Sequence, residues 1–232
     1  MNYFIYVSYI ALLFCLTMCF THFLRLIKLG APKDLSEKSG NVAAGVLYSN
    51  TKAMSPKGKE SAYKHLPTFT AGVLLHIGSF IALLCFIILI FDLFTSNAVS
   101  SFFFQHTLIS SLVVLCLLVS SCCGTGLIIK RLVSKKLRPI SNADDYISTG
   151  LVTLFHLVSA LLFVAYAFHG NFHQYFSPET HSAIVCAYFF AATLLFLYLP
   201  FGKLRHVVYY FAARYHLGFF YGRRGTWPPE KV

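Results

Sequence analysis

The sequence predicts an all-α integral membrane protein, a bundle of five transmembrane helices. Three observations carry this reading. Of the 232 residues, 57% are hydrophobic and only 12% charged, about half the charged fraction of an ordinary soluble domain. Five apolar runs are each long enough to cross a bilayer, which takes about 20 residues. All 19 lysines and arginines fall in three clusters, and two of the loops between runs hold none.

The first run, Tyr3–Leu24, stands where a signal peptide would. It lacks the basic start of one, opening Met1-Asn2-Tyr3, and its charges, Arg25 and Lys28, come after it. No small-residue cleavage site precedes them, so it reads as a retained anchor. The second run spans Thr68–Phe94, the third Thr107–Ile129, the fourth Ile147–Phe168 and the fifth Ser182–Phe201. Between the first two lies the largest polar stretch, Arg25–His65, broken by Gly30, Pro32, Gly40 and Pro56. It is too short for a separate catalytic domain, although Asn41–Lys52 suits a short helix along the membrane surface. The loop Lys130–Tyr146 carries Pro139 and then Ser141-Asn142-Ala143-Asp144-Asp145, a turn followed by a helix N-cap. Residues 202–232 form a tail that alternates aromatic and basic side chains. It suits an interfacial anchor with snorkelling arginines, or a docking surface for a cytoplasmic subunit.

The basic clusters set an orientation. Eight Lys and Arg lie between Arg25 and Lys64, five between Lys130 and Arg138, and six between Lys203 and Lys231. With five spans, these segments share one face, which the positive-inside rule makes cytoplasmic. The N-terminus is then outside, the C-terminus inside, and the host is a cell (inner) membrane. The net charge of +11 is thus a topology signal, and it needs no nucleic acid to explain it. All seven cysteines fall in apolar runs without a Cys-x-x-Cys spacing, which argues against iron–sulfur clusters and c-type haem in this chain.

The candidate site rests on histidines. Of ten, His106, His169, His173 and His181 sit at outer span ends, His65 and His216 near the inner interface, and His22 at the end of the first span. Solvated or capping roles suffice for these. An imidazole inside a span is expensive and is read as functional by default. His76 and His156 lie at similar depth in spans two and four, and His206 closes the last apolar run. His76 and His206 each have a glycine four residues earlier, Gly72 and Gly202, one turn back on the same face of a helix. A bare patch beside an inward imidazole suits a flat macrocycle, which points to a b-type haem between two helices. A packed, hydrogen-bonded histidine is the plain alternative.

Pro200-Phe201-Gly202-Lys203-Leu204-Arg205-His206 resembles the last-helix signature of the respiratory nitrate reductase gamma subunit family. Leu74-Leu75-His76-Ile77-Gly78 is similar to its first haem-ligand segment, and the loop Lys130-Arg131 to Asp145-Tyr146 to its basic loop. The approach Met54-Ser55-Pro56-Lys57-Gly58-Lys59-Glu60-Ser61 looks more like the membrane cytochromes b paired with heterodisulfide-reductase-like iron–sulfur proteins. The resemblance covers spans two to five. It implies a low-spin haem b with His76 and His206 as axial ligands to iron, quinol or quinone as the membrane partner, and an iron–sulfur subunit as the cytoplasmic one. The family's outer haem does not carry over, because Phe86 and Tyr188 stand where its ligands would be. One haem is therefore expected. Lys203, Arg205 and Arg131 are candidate partners for its propionates, with positive-inside anchoring as the plainer role. His156 is left as a quinone contact, a pocket hydrogen-bond donor or a replacement ligand.

The expected function is electron transfer inside a complex, with no catalytic residue in this chain. Two other classes compete: a haem-free membrane scaffold for a cytoplasmic partner, and a small transporter. Against the transporter, Asp92 is the one carboxylate within the five runs, and no inverted pair of broken helices is visible.

Overall fold

A computed structural model describes residues 2–30, 35–55, 64–95, 106–169 and 183–229, and every regular element among them is helical. In order these are α1 (Asn2–Leu29), α2 (Val42–Asn50), α3 (Leu66–Thr95), α4 (Thr107–Val133), α5 (Ala143–His169), α6 (Ala183–Tyr198) and α7 (His206–Arg223). Short 3-10 turns occupy Lys52–Met54, Arg138–Ile140 and Lys203–Arg205. Helices α1, α3, α4 and α5 are each long and apolar enough to cross a membrane, with windows of mean hydropathy between 2.0 and 2.8. The broken pair α6 and α7 makes a fifth candidate span. Residues 96–105 and 170–182, with His173 and His181, and most of the Met54–Ser61 motif lie outside the described residues.

The ends of these helices follow local chemistry. Helix α1 stops at Gly30, whose φ of 65° suits a left-handed C-terminal residue. Asn41 caps α2 by accepting from the Ala44 amide at 3.2 Å. The expected cap of α5 is a reciprocal box: Asn142 Oδ1 accepts from the Asp145 amide and Asp145 Oδ2 from the Asn142 amide, each at 3.1 Å. Two acidic residues in this first turn and Lys130 and Arg131 in the last turn of α4 complement the helix dipoles.

The fifth run does not continue as one helix into the tail. Pro200 lacks an amide hydrogen and its ring crowds the carbonyl four residues back, so α6 ends at Tyr198 and a new helix opens at His206.

Contacts divide the chain into two compact units, Met1–Cys15 with Thr70–Lys203, and Leu16–Phe69 with Leu204–Val232. In the first unit the core is aromatic: Phe86, Phe155, Phe163, Tyr188 and Phe189 are each at most 2% exposed. In the second unit the tail is a helix, α7, seated on α2. A Cβ on Gly45 would overlap the backbone at Gly222, and one on Gly218 would come within 2.5 Å of Val46 Cα. Around this crossing Ser49 Oγ donates to the Arg214 carbonyl at 2.7 Å, the Arg214 guanidinium returns a bond to the Ser49 carbonyl, and Arg223 donates to the Ser36 carbonyl at 2.8 Å. Trp227 folds over the end, its ring 4.8 Å from Tyr221 and 5.4 Å from Tyr48.

Candidate functional site

Helix α3 presents His76 on an exposed face, about 15 Å from its first residue at the helical rise. The ring is oriented by its own helix: Nδ1 lies 2.7 Å from the Gly72 carbonyl oxygen. With Nδ1–H donating, the lone pair is on Nε2, the tautomer that ligates a metal while a second partner fixes the ring. Gly72 flanks the ring, and a Cβ built there meets nothing within 4 Å. Both features of this half, an oriented imidazole and a bare flank, fit a haem face.

His206 differs. It is exposed and opens α7, behind Arg205 at the N-cap. Gly202 lies in the preceding break, in the first unit, and not one helical turn behind His206. Its missing side chain is already accounted for, since a Cβ would overlap the Tyr198 ring and sit 2.8 Å from Asp144 Oδ1. The expectation that Gly202 forms a bare patch for a macrocycle is thus corrected: packing within the first unit requires this glycine.

Two of the three expected propionate partners are also engaged. Asp145, its side chain 7% exposed, receives Arg131 at 2.7 Å and Lys203 Nζ at 2.6 Å. Neighbouring Asp144 accepts from the Tyr198 hydroxyl, from Ser148 Oγ at 2.9 Å and from the Lys203 amide at 3.2 Å. The pair of carboxylates thus ties the ends of α4 and α6 to the start of α5. Sequence reasoning took these aspartates as caps and missed them as counter-ions; the signal was two acids beside an otherwise basic loop. Arg205 is placed differently, its guanidinium 5.8 Å from the Tyr209 ring centroid. Tyr209 in turn hydrogen-bonds His22 Nδ1 at 3.1 Å.

His156 is fully buried in α5, with Nδ1 2.7 Å from Ser120 Oγ on α4. Its Nε2 has no hydrogen-bond partner among the described residues. Gly78 makes the cluster possible: a Cβ there would overlap Ser120 and approach His156 Cε1 to 3.4 Å. Gly78 therefore faces His156, and His76, two residues earlier, points about 160° away around α3 at 3.6 residues per turn. His76 and His156 do not address a common ligand. Full burial also keeps His156 out of reach of a diffusing quinone in this conformation.

The positions at which the resemblance would put outer-haem ligands are filled. Phe86 and Tyr188 are in ring contact, centroids 6.1 Å apart, and Phe155 stacks on Tyr188 at 5.5 Å. Phe189 and Phe196 close around Phe86 at 6.2 and 4.9 Å. Rings in direct contact leave no gap for a macrocycle between them.

Among the described residues no three His, Cys, Asp or Glu side chains converge as a metal cluster. Comparison with known protein families, curated proteins and solved structures finds no match to this chain.

Proposed function

We propose that this multi-pass protein is the haem b-bearing membrane subunit of a redox complex, passing electrons between membrane quinol and a cytoplasmic iron–sulfur protein. The observation that carries the reading is His76: an exposed imidazole on a membrane helix, oriented through Nδ1 by Gly72 and flanked by that residue's open face. The sequence resemblance adds His206 as the second residue to hold the iron, and the group would supply one-electron transfer. The protein's part is to orient the rings, as the Gly72 carbonyl does for His76. Arg205 is the basic residue best placed in sequence to meet a propionate, because Arg131 and Lys203 already serve Asp145. Contact between Phe86 and Tyr188 supports a single haem. The basic clusters support an outside N-terminus and a cytoplasmic C-terminus in a cell membrane.

One second reading has observations of its own. The packing of Gly202 and the pairing of Arg131 and Lys203 remove three supports from the haem site and suit a haem-free anchor for a cytoplasmic subunit.

The test is the reduced-minus-oxidised spectrum of the purified chain, expressed with ample haem, with a pyridine haemochrome count. One haem b per chain is expected, lost in His76→Ala and in His206→Ala. Gly72→Leu separates the two readings. It improves helix propensity by up to about 1 kcal/mol, and its Cβ meets nothing within 4 Å. Haem loss in a folded Gly72→Leu protein supports a macrocycle on that face. A colourless wild-type protein, or full haem in His76→Ala, overturns the assignment.

A further inference from the structure

Helix α5 gathers buried polar residues on one face. Asp145, Ser148, Thr149, Thr153, His156 and Ser159 fall within a sector of about 140° at 3.6 residues per turn. All but the half-buried Thr149 are at most 8% exposed. Helix α4 runs antiparallel beside this face: Arg131 pairs with Asp145 at 2.7 Å, Gly124 makes room for Thr153 Oγ1, and Ser120 Oγ lies 2.7 Å from His156 Nδ1. Continued one turn further, the same register sets the buried, apolar Leu117 against Ser159, whose hydroxyl turns to the Phe155 carbonyl of its own helix. The polar column thus starts at the ion pairs of Asp145 and stops at His156.

His156 ends the column fully buried, and its Nε2 has no hydrogen-bond partner among the described residues. One tautomer makes two bonds: Nδ1–H donates to Ser120 Oγ at 2.7 Å, and the Ser120 hydroxyl donates on to the Leu75 carbonyl at 3.4 Å. The other spends the Ser120 proton on Nδ1 and strands Nε2–H as a buried donor, which costs more. Nε2 therefore holds a bare lone pair inside the bundle. Gly78 of α3 and Ser120 of α4 face the ring, Tyr188 of α6 stacks on the neighbouring Phe155, and no charged group among the described residues acts on it. An apolar side chain would fill this place without an orphan nitrogen, and an ionisable one in a span marks a function by default. The approach is lined with hydroxyls. Thr153 donates to the Thr149 carbonyl at 2.7 Å, Thr149 to the Asp145 carbonyl at 2.8 Å, and Ser148 to Asp144 at 2.9 Å. Each oxygen keeps an acceptor lone pair. Successive turns stand about 5.4 Å apart, a gap that one transient water bridges.

We propose that His156 is a proton-binding site inside the bundle, loaded from the end where Arg131 and Lys203 meet Asp145. A proton from solvent passes along the Ser148–Thr149–Thr153 face and bonds to the Nε2 lone pair. The ring becomes an imidazolium that still donates Nδ1–H to Ser120, and it returns the proton by the same route. Nothing larger reaches a ring so buried. The proposal needs no haem, and it stands or falls separately from that reading.

The test is NMR of the imidazole nitrogens of the full chain in nanodiscs, with labelled histidine; His156 is the signal that His156→Gln removes. At neutral pH Nδ1 should carry the proton and Nε2 none. Acid should then charge the ring reversibly with far-UV helicity unchanged. Thr153→Val should slow exchange of the added proton with solvent about tenfold or more, the order of one lost hydrogen bond, and Ser148→Ala should act in the same direction. Ser159→Ala, on the closed side, should keep the wild-type rate. If Thr153→Val fails to fold, Ser148→Ala and the wild-type tautomer decide. A proton on Nε2 at neutral pH overturns the proposal. So does a ring that charges only as helicity is lost, or one exchange rate shared by wild type and all the column variants.

Discussion

Ser120 and Gly78 together make it possible for His156 to be buried. A neutral imidazole with both nitrogens unpaired in an apolar core is costly, and one hydrogen bond at 2.7 Å removes half of that burden. Deleting the hydroxyl should leave Nδ1 unsatisfied and cost about 1–3 kcal/mol. Ser120→Ala should therefore unfold at lower temperature in detergent, while Gly72→Ala, which meets no neighbour, should match the wild type or exceed it. Equal melting of Ser120→Ala and wild type would show that the bond contributes nothing. The sequence singled out His156 by its depth, but not its partner. Ser120 is one of several hydroxyls on α4, and most such groups bond their own helix, as Ser121 does to the Leu117 carbonyl at 2.8 Å. Which serine turns to a neighbour depends on helix rotation, and no local pattern encodes that. Gly202 was misread for a related reason: spacing relates it to His206 only if the helix is continuous, and Pro200 three residues after Leu197 was the local warning.

Among the elements, the α2–α7 pair shows how much of the tail was present in the chain. Gly218-Phe219-Phe220-Tyr221-Gly222 is a small-xxx-small spacing, the device that lets two helix backbones approach closely. Aromatic and basic residues dominate the same segment and drew the reading toward an anchor or docking surface. The partner, α2, was legible as a short helix, but its glycine at 45 gains meaning only once α7 lies across it. Because Gly45 and Gly222 are in backbone contact, Gly45→Leu should separate the helices and break the reciprocal Ser49–Arg214 bonds. The expected readout is rapid trypsin cleavage after Arg214 and Arg223 in an otherwise folded chain. A cleavage rate like the wild type's would show that the crossing tolerates a side chain and that the glycines are incidental.

Across the whole molecule, the number of spans decides where the two termini lie. Four crossings put them on one side and five on opposite sides. The first unit contains an argument for five. At one end Asp144 of α5 meets Tyr198 of α6; eleven residues further along α5, Phe155 stacks on Tyr188, ten residues back along α6. The register is that of antiparallel neighbours, so α6 retraces the path of α5. Lys203, just past α6, then reaches Asp145 at the start of α5 and shares it with Arg131 at the end of α4. Helix α6 therefore returns to the end of the first unit that carries the loop Lys130–Arg138. Under the proposed five-span topology, with α6 as the last crossing, the N-terminus would lie opposite the C-terminus. A green fluorescent reporter fused after Val232 should fluoresce, and alkaline phosphatase at the same point should be inactive. Phosphatase fused ahead of Asn2 as a sandwich, or inserted within residues 96–105, should be active. Replacing Lys135, Lys136 and Arg138 with asparagine removes three of the five basic charges of the central loop, which the proposed topology puts inside. That variant should raise the phosphatase activity of a fusion at Ser141. An active phosphatase at both termini would mean that α6 does not cross, and the antiparallel register of α5 and α6 would then have to form outside the bilayer.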